Sequence, residues 1–345
     1  MIGEQTISNS LNNQGVTVLL PFYNAENTLG RAIESILHQT FPNFELLLIN
    51  NNSNDESATI ASNYCEKDAR CMLIHEETPG IVHALNLGLE VASGKYIARM
   101  DADDWSFPER LYRQYNFLEM NKSYGVVAGQ AIYVPYNNKT EGFQRYVDWS
   151  NSILEFKKIY NRQFMESPII HPTVMWRKEI SEENGVYRQG DFPEDYELWL
   201  RWLEKGKRFH KLKEPVLKWF DNDNRLTRVD SRYSDLAFFM IKSLYLAKWL
   251  KKHNPFHPEV FIWGASKISR NRAKLLQNHG IQISGYIDIT TKRQLDKKVI
   301  FYKDIASGQE IFILIYLREE TMRAKTQQFL KHRGYVEGQN YLLVS

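Results

Sequence analysis

Apolar and polar positions alternate in blocks along the first hundred residues. The run "VTVLLPFYN" (Val16 to Asn24) is apolar until Pro21, which predicts a buried parallel strand stopping at a loop. In "AENTLGRAIESILHQ", Leu29, Ile33, Ile36 and Leu37 recur at helical spacing and predict an amphipathic helix. "FELLLIN" from Phe44, "CMLIHEE" from Cys71 and "KYIARMD" from Lys95 read as three further buried strands. The polar loop and helix of "NNSNDESATIASNYCEK" and the helix of "GIVHALNLGLEVA" separate them. Strands alternating with helices of about a dozen residues indicate an α/β sheet with right-handed crossovers. Ligands of such sheets bind outside the carboxyl ends of the strands.

Beyond Asn121 the alternation loosens. Strands are expected near "YGVVAGQAIYV" and "HPTVMWRK", and a helix through "EDYELWLRWLEKG". "LAFFMIKSLYLAKWLKKH" from Leu236 is an apolar helix interrupted by Lys242 and Lys248. It is expected as an amphipathic connector able at most to lie on a membrane surface. A fresh pattern then begins with "EVFIWGA", "SRNRAKLLQNHG", "IQISGYIDI", "EIFILIY", "EETMRAKTQQFLKHRG" and "NYLLVS", a second compact α/β unit. The expected organisation is a polar leader over 1–15, a first domain over 16–233, a helical connector over 234–257 and an accessory domain over 258–345. The break falls at "HNPFHPE", where two prolines punctuate the chain. A linker of this kind predicts a modest interface and a first domain that survives removal of the second.

Composition adds exclusions. With 345 residues, 43% hydrophobic and 25% charged, the chain has material for two real cores. A net charge of +3 is too small and too evenly spread to argue for nucleic acid. Cys65 and Cys71 form no metal or disulfide framework, no signal peptide precedes the first strand, and no apolar run reaches the roughly 18 residues of a membrane span. A cytoplasmic protein is expected, at most peripheral at the inner face of the membrane.

The densest chemistry lies in "GKYIARMDADDWSFPERL", where Asp101, Asp103 and Asp104 crowd the end of the fourth strand. Like charges so close are costly unless a cation or a hydrogen-bond network compensates them. In an extended segment Asp101 and Asp103 face one side and can converge on a hard divalent ion such as Mn²⁺ or Mg²⁺. The competing reading is a solvated turn before a helix, with Asp103 or Asp104 as N-cap and Pro108 in the first turn.

"VTVLLPFYNAENTLGRAIESILHQTF", "FELLLINNNSNDES", "PGIVHALNLGLEVASGKYIARMDADDWSFPERL", "HPTVMWRK" and "EDYELWLRW" occur in an order that resembles the family 2 glycosyltransferases of the GT-A fold, over about residues 16–230. The resemblance implies an inverting enzyme that takes a sugar from a nucleotide-diphosphate donor. Its fold would be a mainly parallel mixed sheet with helices on both faces. The acceptor implied is a saccharide or lipid-linked saccharide of surface polysaccharide synthesis. It implies Asp103 as direct metal ligand with Asp101 nearer the ribose, and Pro21, Tyr23 and Glu26 in the loop around base and ribose. Asp195 is implied as the base that deprotonates the acceptor, with Glu194 orienting the acceptor or neighbouring groups. Asp104 is read as the helix N-cap. The family commonly carries two aspartates after the second strand where this chain has Asn50 and Asn51. An amide at Asn51 can both donate and accept, so it suits uracil, cytosine or guanine, with UDP first on family frequency. His171 is a candidate for a donor or acceptor contact. Arg99 either balances Asp101 or touches the diphosphate, and Arg225 and Arg228 fall where family members close a loop over phosphate.

Processive relatives add membrane spans and a Gln-x-x-Arg-Trp motif; here Arg201 and Trp202 are present but Leu198 stands at the Gln position. A single-addition transferase fits better. In the second unit "FIWGASKISR" follows a strand and opens a helix, and Asp288 ends the next strand, much as in a dinucleotide fingerprint. Ser266 and Ser269 replace its later glycines. The unit is therefore expected as a Rossmann-like accessory module that binds a nucleotide, positions a partner or mediates homo-oligomer formation. The rival readings are an NAD(P)-dependent redox activity of this unit, or a non-catalytic nucleotide-sugar scaffold.

Overall fold

A computed structural model describes residues 15–136, 141–223, 225–290, 295–306 and 310–345. The leader expected over 1–15 lies almost wholly outside the described residues. The chain divides into two compact units and crosses between them more than once. The first holds the described residues of 1–152 together with 169–187 and 207–222, and the second holds 153–168, 188–206 and 223–345. A single crossing between 233 and 258 had been expected.

The first unit is built on strands β1 (Val16–Phe22), β2 (Phe44–Asn50), β3 (Cys71–His75), β4 (Tyr96–Arg99), β5 (Trp105–Ser106), β6 (Val126–Val134), β7 (Met175–Arg177) and β8 (Phe209–Phe220). They form one mixed sheet in the order β3-β2-β1-β4-β7-β6-β8-β5. β1 lies parallel between β2 and β4, while β7 runs antiparallel to β4 and β6. Every residue of β1 is buried, the signature of a strand covered on both faces. The Leu29–Leu37 helix turns Leu29, Ala32, Ile33 and Ile36 inward, and the Ile81–Val91 helix approaches so closely that a Cβ at Gly88 would meet Ile49 and Leu19 at 2.9 and 3.0 Å.

Three expectations need correction here. β1 does not stop at Pro21 but runs through it. The Leu19 carbonyl accepts from the N–H of Met100, just past β4, so two residues on Pro21 faces that side again, past Leu19↔Arg99 where the β1–β4 register ends, and no ladder bond needs its missing N–H. β8 was not foreseen, because Lys211, Lys213, Glu214 and Pro215 obscure its pattern; the β6–β8 register shifts on either side of Gln130, and Gln130 pairs Pro215. His171–Thr173 forms a 3₁₀ turn, and only Met175–Arg177 of that block is strand.

The second unit carries β9 (Glu259–Trp263), β10 (Gln282–Asp288), β11 (Lys298–Phe301), β12 (Ile313–Ile315) and β13 (Tyr341–Leu343), all parallel, in the order β11-β10-β9-β12-β13. The Asp235–His253 helix is not an amphipathic connector. Phe239, Ile241, Tyr245, Leu246, Trp249 and Leu250 join one core with Val260, Ile262 and Leu314 of the sheet, with Phe312 just before β12, and with Phe164, Tyr196 and Leu200. Even Lys242 is buried, its Nζ donating to the Met165 carbonyl at 2.7 Å, and burial pushes its pKa down to about 8. A helix buried nearly all round belongs to a core. Among the described residues no helix is long and apolar enough to cross a membrane.

Candidate functional site

The acids follow directly from β4, at the carboxyl edge where an α/β sheet binds its ligands. Ligand oxygens of Asp101, Asp103 and Asp104 all lie within 4.8 Å of one another. Asp101 and Asp103 are half-buried and Asp104 is fully buried. Each has a distinct neighbour: Arg99 Nη2 meets Asp101 Oδ1 at 2.5 Å, Asn222 Nδ2 donates to Asp103 Oδ2 at 2.7 Å, and the Phe220 backbone N–H donates to Asp104 Oδ1 at 3.0 Å. Asp104 is therefore not the helix N-cap expected of it. The helix is Arg110–Met120, with Glu109 at its N-cap position and Pro108 before it, and Asp104 instead ties the end of β8 to the acidic loop. Three oxygen-bearing side chains converging at a strand end are a donor set suited to a hard divalent cation, and Asp101 and Asp103 are the accessible pair.

Of the two alternatives for Arg99, the structure shows the internal one. Arg99 is buried, and its guanidinium reaches Asp101 and the Met100 carbonyl. Arg110, buried beneath it, donates to the Arg99 carbonyl at 2.6 Å. Burial pushes the Arg110 pKa down to about 9 despite the counter-pull of Asp104. His171 bonds the Tyr187 hydroxyl through Nε2 at 2.7 Å; burial, reinforced by the Arg99 charge, holds its pKa well below the ordinary value, so the ring is neutral.

Two loops at the same edge are stitched together. Asn24 and Asn52 both adopt left-handed backbone, at φ 48° and 63°, a conformation asparagine tolerates better than most residues. Asn24 donates its N–H to Ser53 and accepts from Asn54, while Glu26 donates its N–H to Asp55 and accepts from Glu56. Glu26 thus braces the loop. Asp55, which sequence reasoning passed over, stands below its usual carboxylate range; desolvation, the largest single influence, opposes the shift, and hydrogen bonds from Ser57 and Glu26 together outweigh it. Pro21 is buried in β1, and Tyr23 just beyond it is 61% exposed. The amide of Asn51 donates to the Glu76 and Thr78 carbonyls and accepts from Gly80 N–H. Both hydrogens expected for a base are engaged with this loop, and the oxygen, which already takes Gly80 N–H, keeps one lone pair with which to accept from a ligand.

The other candidates belong to the second unit. Glu194 and Asp195 open the Glu194–Glu204 helix, where negative charge is favoured. Glu194 is buried and accepts a 2.6 Å hydrogen bond from the Tyr233 hydroxyl. Asp195 is half-exposed, with Oδ1 accepting from Tyr196 N–H at 2.7 Å. Arg201 is buried in a pair with Glu197 on the same helix, so its Arg-Trp dipeptide serves the core of this unit. Arg225 precedes the short Leu226–Val229 helix, and exposed Arg228 pairs Asp223 at 3.3 Å. The glycine of the dinucleotide-like turn has an internal explanation: at Gly264 (φ +112°) a Cβ would lie 3.2 Å from the Tyr316 carbonyl, the Ser266 and Ser269 hydroxyls bond each other, and Ser269 donates to that same carbonyl. Asn222 and Tyr233 were invisible to sequence reasoning because each acts through a side chain distant in the chain, 119 and 39 residues away.

Comparisons with known proteins agree with this picture. Residues 17–185 match Glycosyl transferase family 2. EpsE of Bacillus subtilis (strain 168), named as a glycosyltransferase, is 34% identical over 224 residues, covering 64% of this chain and 77% of that protein. The O-antigen biosynthesis glycosyltransferase WbnJ of Escherichia coli is 30% identical over 242 residues, covering 69% of this chain and 89% of that protein. An uncharacterized glycosyltransferase of Rickettsia felis is 27% identical over 91% of this chain, which spans only 50% of that longer protein. In fold, the chain resembles S. aureus TarS 1-349, solved in complex with UDP-GlcNAc, with a TM-score of 0.55 at 16% identity, covering 77% of this chain and 71% of that one.

Proposed function

The chain belongs to glycosyltransferase family 2, and on that premise we propose that it is a metal-dependent, inverting, single-addition enzyme of surface polysaccharide synthesis. The donor is a nucleotide-diphosphate sugar, UDP-linked by preference, and the acceptor a hydroxyl of a saccharide or lipid-linked saccharide. The observation that carries this reading is the convergence of Asp101, Asp103 and Asp104 at the carboxyl edge of β4. Asp103 and Asp101 would hold the cation, Mn²⁺ or Mg²⁺. When bound there, it supplies charge neutralisation for the leaving diphosphate. Arg99 balances Asp101 from beneath, and Asn222 fixes one oxygen of Asp103. Tyr23 offers an exposed ring, and Asn51 an acceptor oxygen, to the nucleoside.

Transfer is a single in-line displacement. The acceptor oxygen bonds to the anomeric carbon as that carbon's bond to the diphosphate oxygen breaks, and the hydroxyl proton passes to Asp195. The half-exposed carboxylate of Asp195 supports this role better than buried Glu194. Arg225 and Arg228 are proposed to face phosphate, and His171, being neutral, to contribute only a hydrogen bond. The inward use of Gly264, Ser266 and Ser269 favours an accessory rather than a redox role for the second sheet. A thermal-shift panel of UDP-, GDP-, CDP- and dTDP-sugars with and without Mn²⁺ tests the proposal. One nucleotide giving a Mn²⁺-dependent rise in Tm identifies the donor; stabilisation by NADH alone overturns the reading.

A further inference from the structure

We propose that Tyr233 is a positioning residue for the acidic pair that opens the Glu194–Glu204 helix, acting through Glu194 on Asp195. The proposal rests on the assignment of Asp195 as base. It starts from a cost: Glu194 is buried, and a buried carboxylate must be paired or hydrogen-bonded to stay ionised. Its chain neighbour Asp195 adds a like charge, which disfavours ionising both. The Tyr233 hydroxyl answers both demands by donating to Glu194 Oε2 at 2.6 Å. Burial first, and then the charges of Glu194 and Asp195, push the phenol well above its ordinary pKa; Arg232 pulls weakly the other way, and the group stays a donor.

The donor is presented by a rigid local device. The Ser231–Tyr233 turn begins at Asp230, whose carboxylate accepts from Arg232 N–H at 2.9 Å and is gripped by the Arg232 guanidinium at 2.6 to 3.1 Å. A second phenol makes an instructive contrast. Tyr245 donates to Glu197 Oε1 at 2.5 Å, three residues further along the same helix. Glu197 also pairs with Arg201 at 2.9 Å and Arg188 at 3.5 Å, so its charge is compensated without the phenol. Tyr245 therefore adds one bond to a carboxylate that two cations already pair, whereas Tyr233 donates to the carboxylate that opens the helix, next to the half-exposed Asp195. An anionic Glu194 raises the basicity of Asp195; a protonated Glu194 lowers it.

The experiment is a double-mutant cycle, with release of nucleoside diphosphate measured from whichever sugar nucleotide gives the largest Mn²⁺-dependent thermal shift. Tyr233→Phe should lower kcat about 10-fold with donor KM within about twofold, and should cost nothing further in a Glu194→Gln background. Tyr245→Phe should lower Tm while leaving kcat nearly intact. Unchanged kcat in Tyr233→Phe overturns the proposal, as does an equal loss in both backgrounds, or a loss matched by Tyr245→Phe at the same drop in Tm. Near-normal turnover in Asp195→Asn, run in the same series, sinks the base assignment itself and the proposal with it. A failed cycle beside an inactive Asp195→Asn sinks the role of Tyr233 alone.

Discussion

The acidic loop of the first unit and the acidic helix of the second carry the two halves of the proposed chemistry, and they are supported differently. At the loop, Arg99 stands two residues before Asp101, while Asp103 and Asp104 are held by Asn222 and Phe220 at the end of β8, all of them residues of the first unit. At the helix, Glu194 and Glu197 take hydrogen bonds from Tyr233 and Tyr245, 39 and 48 residues later in the chain. Phe164, Tyr196 and Leu200 share a core with β9, β12 and the Asp235–His253 helix. The contrast teaches that the carboxy-terminal segment is the foundation of the helix that carries the proposed base, not an appendage behind a linker.

Ending the chain at His253 would break that foundation and should have the largest effect. It removes Val260, Ile262, Phe312 and Leu314 from against Leu246, Trp249 and Leu250. Burial of each such side chain is worth about 1.5–3 kcal/mol, and a domain's net stability is only about 5–15 kcal/mol. Hydrogen exchange should show the remaining second-unit helices unprotected and turnover absent; a protected, active fragment would restore the picture of a dispensable module.

Within the intact chain, Asp195→Asn keeps shape and removes the base. Turnover should drop by roughly 10²-fold or more while donor affinity holds nearly constant. If kcat stays near normal, Glu194 becomes the first substitute. Asp103→Ala probes the other region: the Mn²⁺-dependent thermal shift should vanish while the metal-free Tm moves little, since one acid leaves a repelling cluster. Retained Mn²⁺ dependence would move the metal elsewhere.

A pH dependence compares one buried lysine from each unit. Lys211 is buried with its Nζ on the Ser150 carbonyl and hydroxyl, and burial lowers its pKa to about 7; for Lys242 the value is about 8. Between these values and the ordinary 10.5, the unfolded chain binds the more protons, so stability rises with pH across that window and is flat below it. The slope per lysine approaches about 1.4 kcal/mol per pH unit. Lys211→Met should flatten the rise that begins near pH 7, and Lys242→Met the one that begins near pH 8. Chemical denaturation from pH 6 to 10 reads both slopes, and an unchanged slope in either variant would mean that its lysine stays protonated.

How much was legible follows the range of the interactions. The buried runs of β1, β2 and β4, the Leu29–Leu37 helix and the acids closing β4 are periodic or contiguous in sequence, so the α/β class and the placement of Asp101 and Asp103 could be read directly. β8 escaped because charged residues and a proline occupy a strand whose partner accommodates them with register shifts. Asp104 was misread because its spacing before a helix mimics a cap, whereas the Phe220 N–H that claims it lies 116 residues away. For Asn51, expected to meet a base, the structure adds three bonds to backbone groups of residues 76–80 that the sequence could not show, because they come from a loop 25 to 29 residues away.

By itself, then, the sequence determined what depends on neighbours along the chain: strand and helix period, the acids at a strand end, the acidic pair at a helix start and the order of blocks that marks the family. Only the tertiary structure decided which of those polar groups are already engaged. It paired Arg99 with Asp101, gave Asp103 the amide of Asn222 and brought Tyr233 to Glu194. It also turned a helix that reads as an amphipathic connector into the centre of a core. The physical reason is that period and propensity are properties of a few adjacent residues, whereas satisfying a buried polar group or covering a helix's second face takes side chains that only folding brings within reach.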